Sequence, residues 1–312
     1  DKVQADVYGS KFTIEFLKTC LNKEKQKNLK EIKYNQTLKL GELNIDVFSL
    51  SHAIYGNFGF SIESKGESIV YATDYNFNQT AVKFARTDVK KIVELASKTK
   101  VRALLTESLG VEHSGMAASD QGFQPLFHRY LEEAQGRMIV SIYSSNLAGM
   151  TNIIRMAEEF DRKIVIIGRD LLTYLNIAKA ANYIEHKRDL FIRIANLNKY
   201  NDDELIIVVA GLYDEPYLEL AKMAKGTHNI VQLKETDNVL IASKAYDEIE
   251  SIVHSAYRGV GVQTDEKHKR KEFFEVNPEK ARELVSKLAK LHNGKEIVLD
   301  DKMSRCSFLS NK

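Results

Sequence analysis

Three apolar runs in the first third of the chain each give way to a residue that could do chemistry. LNIDVFSL (43–50) is followed by His52, SIVYATD (68–74) closes on Asp74, and VRALLTE (101–107) closes on Glu107. Imidazole nitrogen and carboxylate oxygen are ligands for zinc or manganese, and an aspartate can bridge two ions because it offers two oxygens. A glutamate at the third terminus could orient a ligating histidine or move a proton. Each residue also has an ordinary explanation. His52 and Asp74 could be surface residues with satisfied structural roles, and Glu107 a helix cap or part of a solvated turn.

Further along, SIYSSNLAGM (141–150) runs an apolar strand into Ser144, Ser145 and Asn146 and then into a helix. Free backbone N–H groups at a helix start favour an anion, so a phosphate could dock there, although serine and asparagine are also the ordinary N-caps. IVIIGRD (164–170) brings Arg169 to a second such junction, where its guanidinium could pair with phosphate or with a surface carboxylate. AGLYDEP (210–216) places Asp214 and Glu215 before Pro216, an arrangement that complements the dipole of a helix start. GNFG (56–59) leads into a strand and so is no dinucleotide fingerprint, and no phosphate-loop motif occurs. His113, His128, His186, His228, His254, His268 and His292 lack paired metal-ligand spacing.

The elements that must position these residues change character along the chain. KFTIEFLKTCLN (11–22) gives an amphipathic helix, and 43–50, 58–63 and 68–74 alternate as strands, with SKGE as a hairpin turn. Beyond Thr87 helix and strand take turns. Helices are expected at 88–98, 121–135, 147–160, 171–182 and 216–225, and strands at 101–107, 138–144, 163–168 and 204–211. Apolar runs of strand length between amphipathic helices indicate a doubly wound parallel α/β sheet. NIVQL (229–233) and NVLIAS (238–243) read as further strands, followed by helices at 245–260 and 278–292 around a charged segment, 263–275.

With 312 residues, 44% apolar and 28% charged, the chain can bury a sizeable core. Its apolar runs fall well short of the roughly eighteen residues of a membrane span, which argues against membrane insertion. Cys20 and Cys306 lack disulfide-framework or zinc spacing, so a reducing cytoplasm is the expected setting. A net charge of +2 means that a nucleic-acid partner would be held by a local basic surface, with Arg137, Lys163 and Arg169 as candidate wall residues. The opening DKVQADVYGS, without an initiator methionine, reads as part of a longer protein.

Taken in order, VYGSKFTIEFLK, HAIYGNFGFSIES with GESIVYATDYNFNQT, LLTESLGVE, RMIVSIYSSNLAGMTNII, RKIVIIGRDLLTYLNIA and GLYDEPYLELAKMAKGTH resemble ribonuclease J. That family carries a metallo-β-lactamase fold with an inserted β-CASP domain and degrades RNA. The likeness covers roughly 7 to 260. It implies a split metallo-β-lactamase αββα-type domain, with pieces at 1–120 and 245–312, interrupted by a β-CASP domain at 121–244. On this resemblance His52 and Asp74 are metal ligands and Glu107 matches the acidic first motif of the β-CASP region. Ser144, Ser145 and Asn146 match the family segment that lies beside the RNA path. Two divalent ions, zinc or manganese, are implied for the complete protein, with RNA as partner and a homo-oligomer or paired family subunit as further expectations.

The departures matter as much. Within 1–312 there is no H-x-H-x-D-H cluster, no H-V-S-G-H-A and no P-V-H-G-E, and Tyr55, Gly56 and Asn57 stand where the family has Pro-Asp-Ser. The segment by itself is therefore expected to be inactive. Two further readings stand beside the hydrolase: a non-catalytic RNA-binding or oligomerising paralogue, and a small-molecule-binding α/β domain.

Overall fold

Residues 37–72 fold back on themselves in strands whose alternation buries one face and then the other. A computed structural model describes residues 5–75, 86–108 and 120–243, with four short strands further on. The chain divides into two compact units, Asp1–Gly122 with Tyr174–Glu185, and Phe123–Thr173 with His186–Lys312.

In the first unit, β1 (Val7–Gly9) runs into α1 (Lys11–Cys20) and pairs in parallel with β2 (Leu29–Glu31). Ser10 caps α1 by accepting from the Thr13 N–H. A five-stranded sheet follows, in the order β3 (Thr37–Leu40), β4 (Leu43–Ser49), β5 (Phe58–Ser64), β6 (Glu67–Ala72), β7 (Lys100–Thr106). Lys65 and Gly66, at φ of 53° and 79°, close the β5–β6 hairpin as a two-residue loop with the twist that antiparallel strands favour. α2 (Val89–Lys98) then crosses to β7, which pairs with β6 in parallel. Phe48, Leu50 and Ala72 bury Leu95 of α2 on one face, while Val47 and Phe58 pack with Ile32 in a separate cluster.

Strand direction decides where the site lies. β4 and β6 each run antiparallel to β5, and β7 runs parallel to β6, so the C-terminal ends of β4, β6 and β7 emerge at one edge of the sheet.

The second unit is the doubly wound sheet. α3 (Asp120–Glu133) precedes β8 (Met138–Tyr143), and then come α4 (Leu147–Glu159), β9 (Lys163–Ile167), α5 (Arg169–Ala180), β10 (Leu205–Gly211), α6 (Glu215–Ala224) and β11 (Asn238–Ile241). The last residues of α5 belong to the first unit. β11, β8, β10 and β9 lie side by side in that order, all parallel, and β10 is buried along its whole length. β12 (Arg270–Lys271), β13 (Glu275–Val276), β14 (Ile297–Leu299) and β15 (Cys306–Ser310) complete the description, with β13 pairing antiparallel to β11. The helices expected at 245–260 and 278–292 lie outside the described residues.

Strands β2, β3 and β12 to β15 escaped the sequence reading, and one expected strand is absent. β2 and β3 are short and mostly exposed, with little alternation to read. NIVQL is irregular, because the N–H groups of Ile230 and Val231 donate to Nδ1 of His228 and leave no ladder.

Candidate functional site

His52 follows β4, Asp74 follows β6 and Glu107 follows β7, so all three leave the same sheet edge. Neighbouring strands sit about 4.8 Å apart, so the β4 and β6 exits, on either side of β5, are separated by roughly 10 Å of backbone. Asn57, at the start of the intervening β5, ties the edge together: its Nδ2 donates to the Asp74 carbonyl and its Oδ1 accepts from the Thr73 hydroxyl at 2.8 Å. On the other flank, Ser51 N–H donates to the Thr87 hydroxyl at 2.9 Å.

His52 is half-buried, and that burial pushes its pKa below the ordinary value, against an upward pull from the charges of Asp74 and Glu107. The two carboxylates are therefore close enough for their fields to reach the ring. Nδ1 of His52 accepts the Ile54 N–H at 3.2 Å. The neutral ring consequently carries its proton on Nε2.

The second unit builds a different edge. β8 connects through α4 to β9, passing β10, whereas β10 connects through α6 to β11, passing β8 in the opposite direction. Right-handed crossovers in opposite directions place α4 and α6 on opposite faces. The crevice between the C-terminal ends of β8 and β10 is thus the switch point at which open α/β sheets bind ligands. Ser144 sits there. Its N–H donates to the Gly211 carbonyl at 2.9 Å, and its side chain is fully buried with no hydrogen-bond partner for Oγ among the described residues.

Asn146 is the N-cap of α4, its Oδ1 accepting the Gly149 N–H at 2.8 Å, so that oxygen is committed to the helix. Ser145 is half-buried beside it. Arg169 opens α5 and is exposed. Glu215 is tied locally, its Oε2 accepting the Leu212 N–H at 2.8 Å. The charged wall needs correcting in two places. Arg137 is buried and grips Asp237 through Nε at 2.8 Å, with its Nη2 also donating to the Gln232 carbonyl. Lys163 is paired with Asp189 at 2.8 Å. Arg137 immediately precedes β8 and Lys163 begins β9, both at the edge away from Ser144, because strand starts in a parallel sheet share one end.

A family model described as the ribonuclease J β-CASP domain matches residues 135–255. Ribonuclease J 2 of Staphylococcus epidermidis is 28% identical over 259 residues, covering 81% of this chain and 46% of that protein. These matches support a member of the ribonuclease J family.

Ribonuclease J 2 of Staphylococcus aureus shows the same 28% identity, over 256 residues. The chain spans about half the length of these curated relatives, 46% in each case. A crystal structure of a protein of unknown function from Enterococcus faecalis superposes with a TM-score of 0.47 at 15% identity, over 67% of this chain and 54% of that one. The mixed α/β fold with its parallel sheets, whose residues 135–255 match a β-CASP domain, is consistent with a metallo-β-lactamase and β-CASP architecture.

Against the metal pair that this family implies, the residues fit in donor type and fall short in number. One imidazole and two carboxylates suit a divalent ion, yet among the described residues no group of three or more histidine, cysteine, aspartate or glutamate side chains is gathered closely enough to hold one. Nε2 of His52 could ligate only with the ring proton moved to Nδ1, which would release the Ile54 N–H. Sequence reasoning missed Tyr213, which follows β10 at the switch point and is 75% exposed. Its signal was available in AGLYDEP, an aromatic between a buried strand and a helix start.

Proposed function

We propose that the chain is part of a metal-dependent hydrolase of RNA phosphodiester bonds. His52 and Asp74 would be two ligands of a pair of divalent ions, zinc or manganese, and Glu107 an orienting or acid–base group beside them. What carries the reading is the shared sheet edge, where an imidazole and two carboxylates from three separate strands interact electrostatically. When bound, such ions supply an activated water and offset the charge that develops on phosphorus.

The chain's own residues do the rest. Burial keeps His52 neutral near pH 7, the form that can ligate. Asn57 holds the backbone at Asp74, limiting how far that carboxylate can swing. Ser144, with Ser145, would take a phosphate of the RNA at the α4 N-terminus, where the dipole favours negative charge, while Asn146 keeps the helix start in place and Arg169 supplies a nearby cation. RNA is the partner, with self-association or pairing to a family subunit as a further expectation, and the cytoplasm is the setting.

Two protein donors hold a divalent ion weakly, so residues 1–312 assayed alone are expected to leave RNA intact. The ring polarity of His52 favours a second reading, a subunit of the same family that binds RNA without cutting it. Metal analysis and RNA turnover on the full-length protein separate the two. The hydrolase holds close to two ions per chain, losing metal and activity in His52→Ala and Asp74→Ala. A silent subunit holds well under two even with metal in excess, and that outcome would overturn the hydrolase reading.

A further inference from the structure

Tyr213 is placed in a way that its own packing does not explain. It lies two residues beyond the end of β10, its side chain is 75% exposed, and its backbone sits at φ 48°. The other residues at positive φ include asparagines and an aspartate, which tolerate that region through their short polar side chains. A tyrosine gains nothing comparable. Strain of this kind points to a function when the surroundings hold it in place. Here they do: the Leu212 N–H is bound by the Glu215 carboxylate, the Glu215 N–H donates back to the Leu212 carbonyl at 3.0 Å, and Tyr217 N–H donates to Asp214. The loop is a fixed mount for an uncovered ring.

That mount stands at the switch-point crevice. Gly211, two residues before Tyr213, accepts the N–H of Ser144, whose buried hydroxyl has no partner among the described residues. A Cβ at Gly211 would meet the Glu215 Cβ at 2.4 Å, so the strand end is held to a glycine by the same loop. An anion-favouring helix start and an exposed aromatic face thus lie on adjacent strand ends. A single-stranded nucleotide has the matching pair of features, a phosphate and a flat base.

We propose that Tyr213 is a stacking platform for a base of single-stranded RNA whose phosphate is held at Ser144. The inference rests on the RNA reading above and adds a binding residue to it. Stacking is indifferent to base identity, since every base has a π face, so the contact confers preference for unpaired strands rather than for a sequence.

The test uses the 312-residue chain and a fluorescent, 5′-phosphorylated single-stranded oligoadenylate, with binding read by anisotropy. Loss of one stacked base weakens affinity about five- to hundredfold. Tyr213→Gly is expected to fall in that range, Tyr213→Phe to bind as the unmodified chain does, and the melting point of Tyr213→Gly to hold or rise, because glycine relieves the positive φ. The chain has no tryptophan, so Tyr213→Trp provides a single reporter whose emission should be quenched by the oligonucleotide and spared by one carrying abasic sugars. Equal affinity for Tyr213→Gly and the unmodified chain overturns the stacking role while leaving RNA binding in place. No binding by the unmodified chain overturns the RNA reading and this proposal with it.

Discussion

Replacing Ser144 should stabilise the protein while weakening its hold on phosphate. The Ser144 hydroxyl is fully buried and has no hydrogen-bond partner among the described residues, so Ser144→Ala loses no bond. An unsatisfied buried hydroxyl costs about 1–3 kcal/mol, and recovering roughly 1 kcal/mol of it would raise the melting point by about 2–4 °C in a unit of this size. Ser141, three residues earlier on β8, is the control. Its hydroxyl bonds that of Ser243 at 2.9 Å, both buried, so Ser141→Ala strands one partner and should lower the melting point through a loss of about 1–3 kcal/mol. Calorimetry of both variants, with and without inorganic phosphate, reads the contrast directly. Phosphate bound at Ser144 raises the melting point of the unmodified chain by mass action and raises that of Ser144→Ala less. If Ser144→Ala melts as low as Ser141→Ala and phosphate shifts both alike, the hydroxyl has a structural partner and the docking argument fails.

Three other outcomes follow from the geometry. Arg137→Ala leaves the Asp237 carboxylate buried and unpaired, which should destabilise by about 3–5 kcal/mol in urea melts, whereas a value under 1 kcal/mol would mean that the pair is hydrated. Gly168→Ala sets a Cβ 2.3 Å from the Ala210 carbonyl at a φ of 151°, so the backbone of β9 or β10 must move; a loss of about 1–3 kcal/mol is expected, and an unchanged melting point would contradict the close approach. Since burial lowers the pKa of folded His52, the unfolded chain binds more protons just below the ordinary histidine value, and stability falls as pH drops through that window from neutrality. His52→Asn should flatten that slope, and an NMR titration placing His52 at or above 6.5 would contradict the assignment.

The parallel sheet was legible because MIVSIY, KIVII and LIIVVAG are short apolar runs between amphipathic helices, and burial on both faces leaves hardly any other solution. The hairpin before it was legible from alternation around Lys65-Gly66. NIVQL was misread because its apolar content looks like a strand, while the deciding contact comes from His228, whose ring captures the donors. Charge alone could not separate Arg169, which is exposed, from Arg137, which is sealed against Asp237, since strand ends of opposite polarity look alike in a sequence. The strand-end positions of His52, Asp74 and Glu107 were readable residue by residue. Their common edge was not, because it depends on β5 running antiparallel between β4 and β6. Ser144 was noted for its residue type and its place before a helix, but an unpartnered buried hydroxyl is a property of packing. Tyr213 was passed over for the acids beside it.

The most direct test of the metal reading is anomalous diffraction at the zinc or manganese edge from crystals of the full-length protein. The account predicts a peak about 2.0–2.2 Å from both Nε2 of His52 and a carboxylate oxygen of Asp74, with the His52 ring released from the Ile54 N–H. A metal-saturated crystal with no peak there, and with Nδ1 of His52 still accepting that N–H, would contradict it.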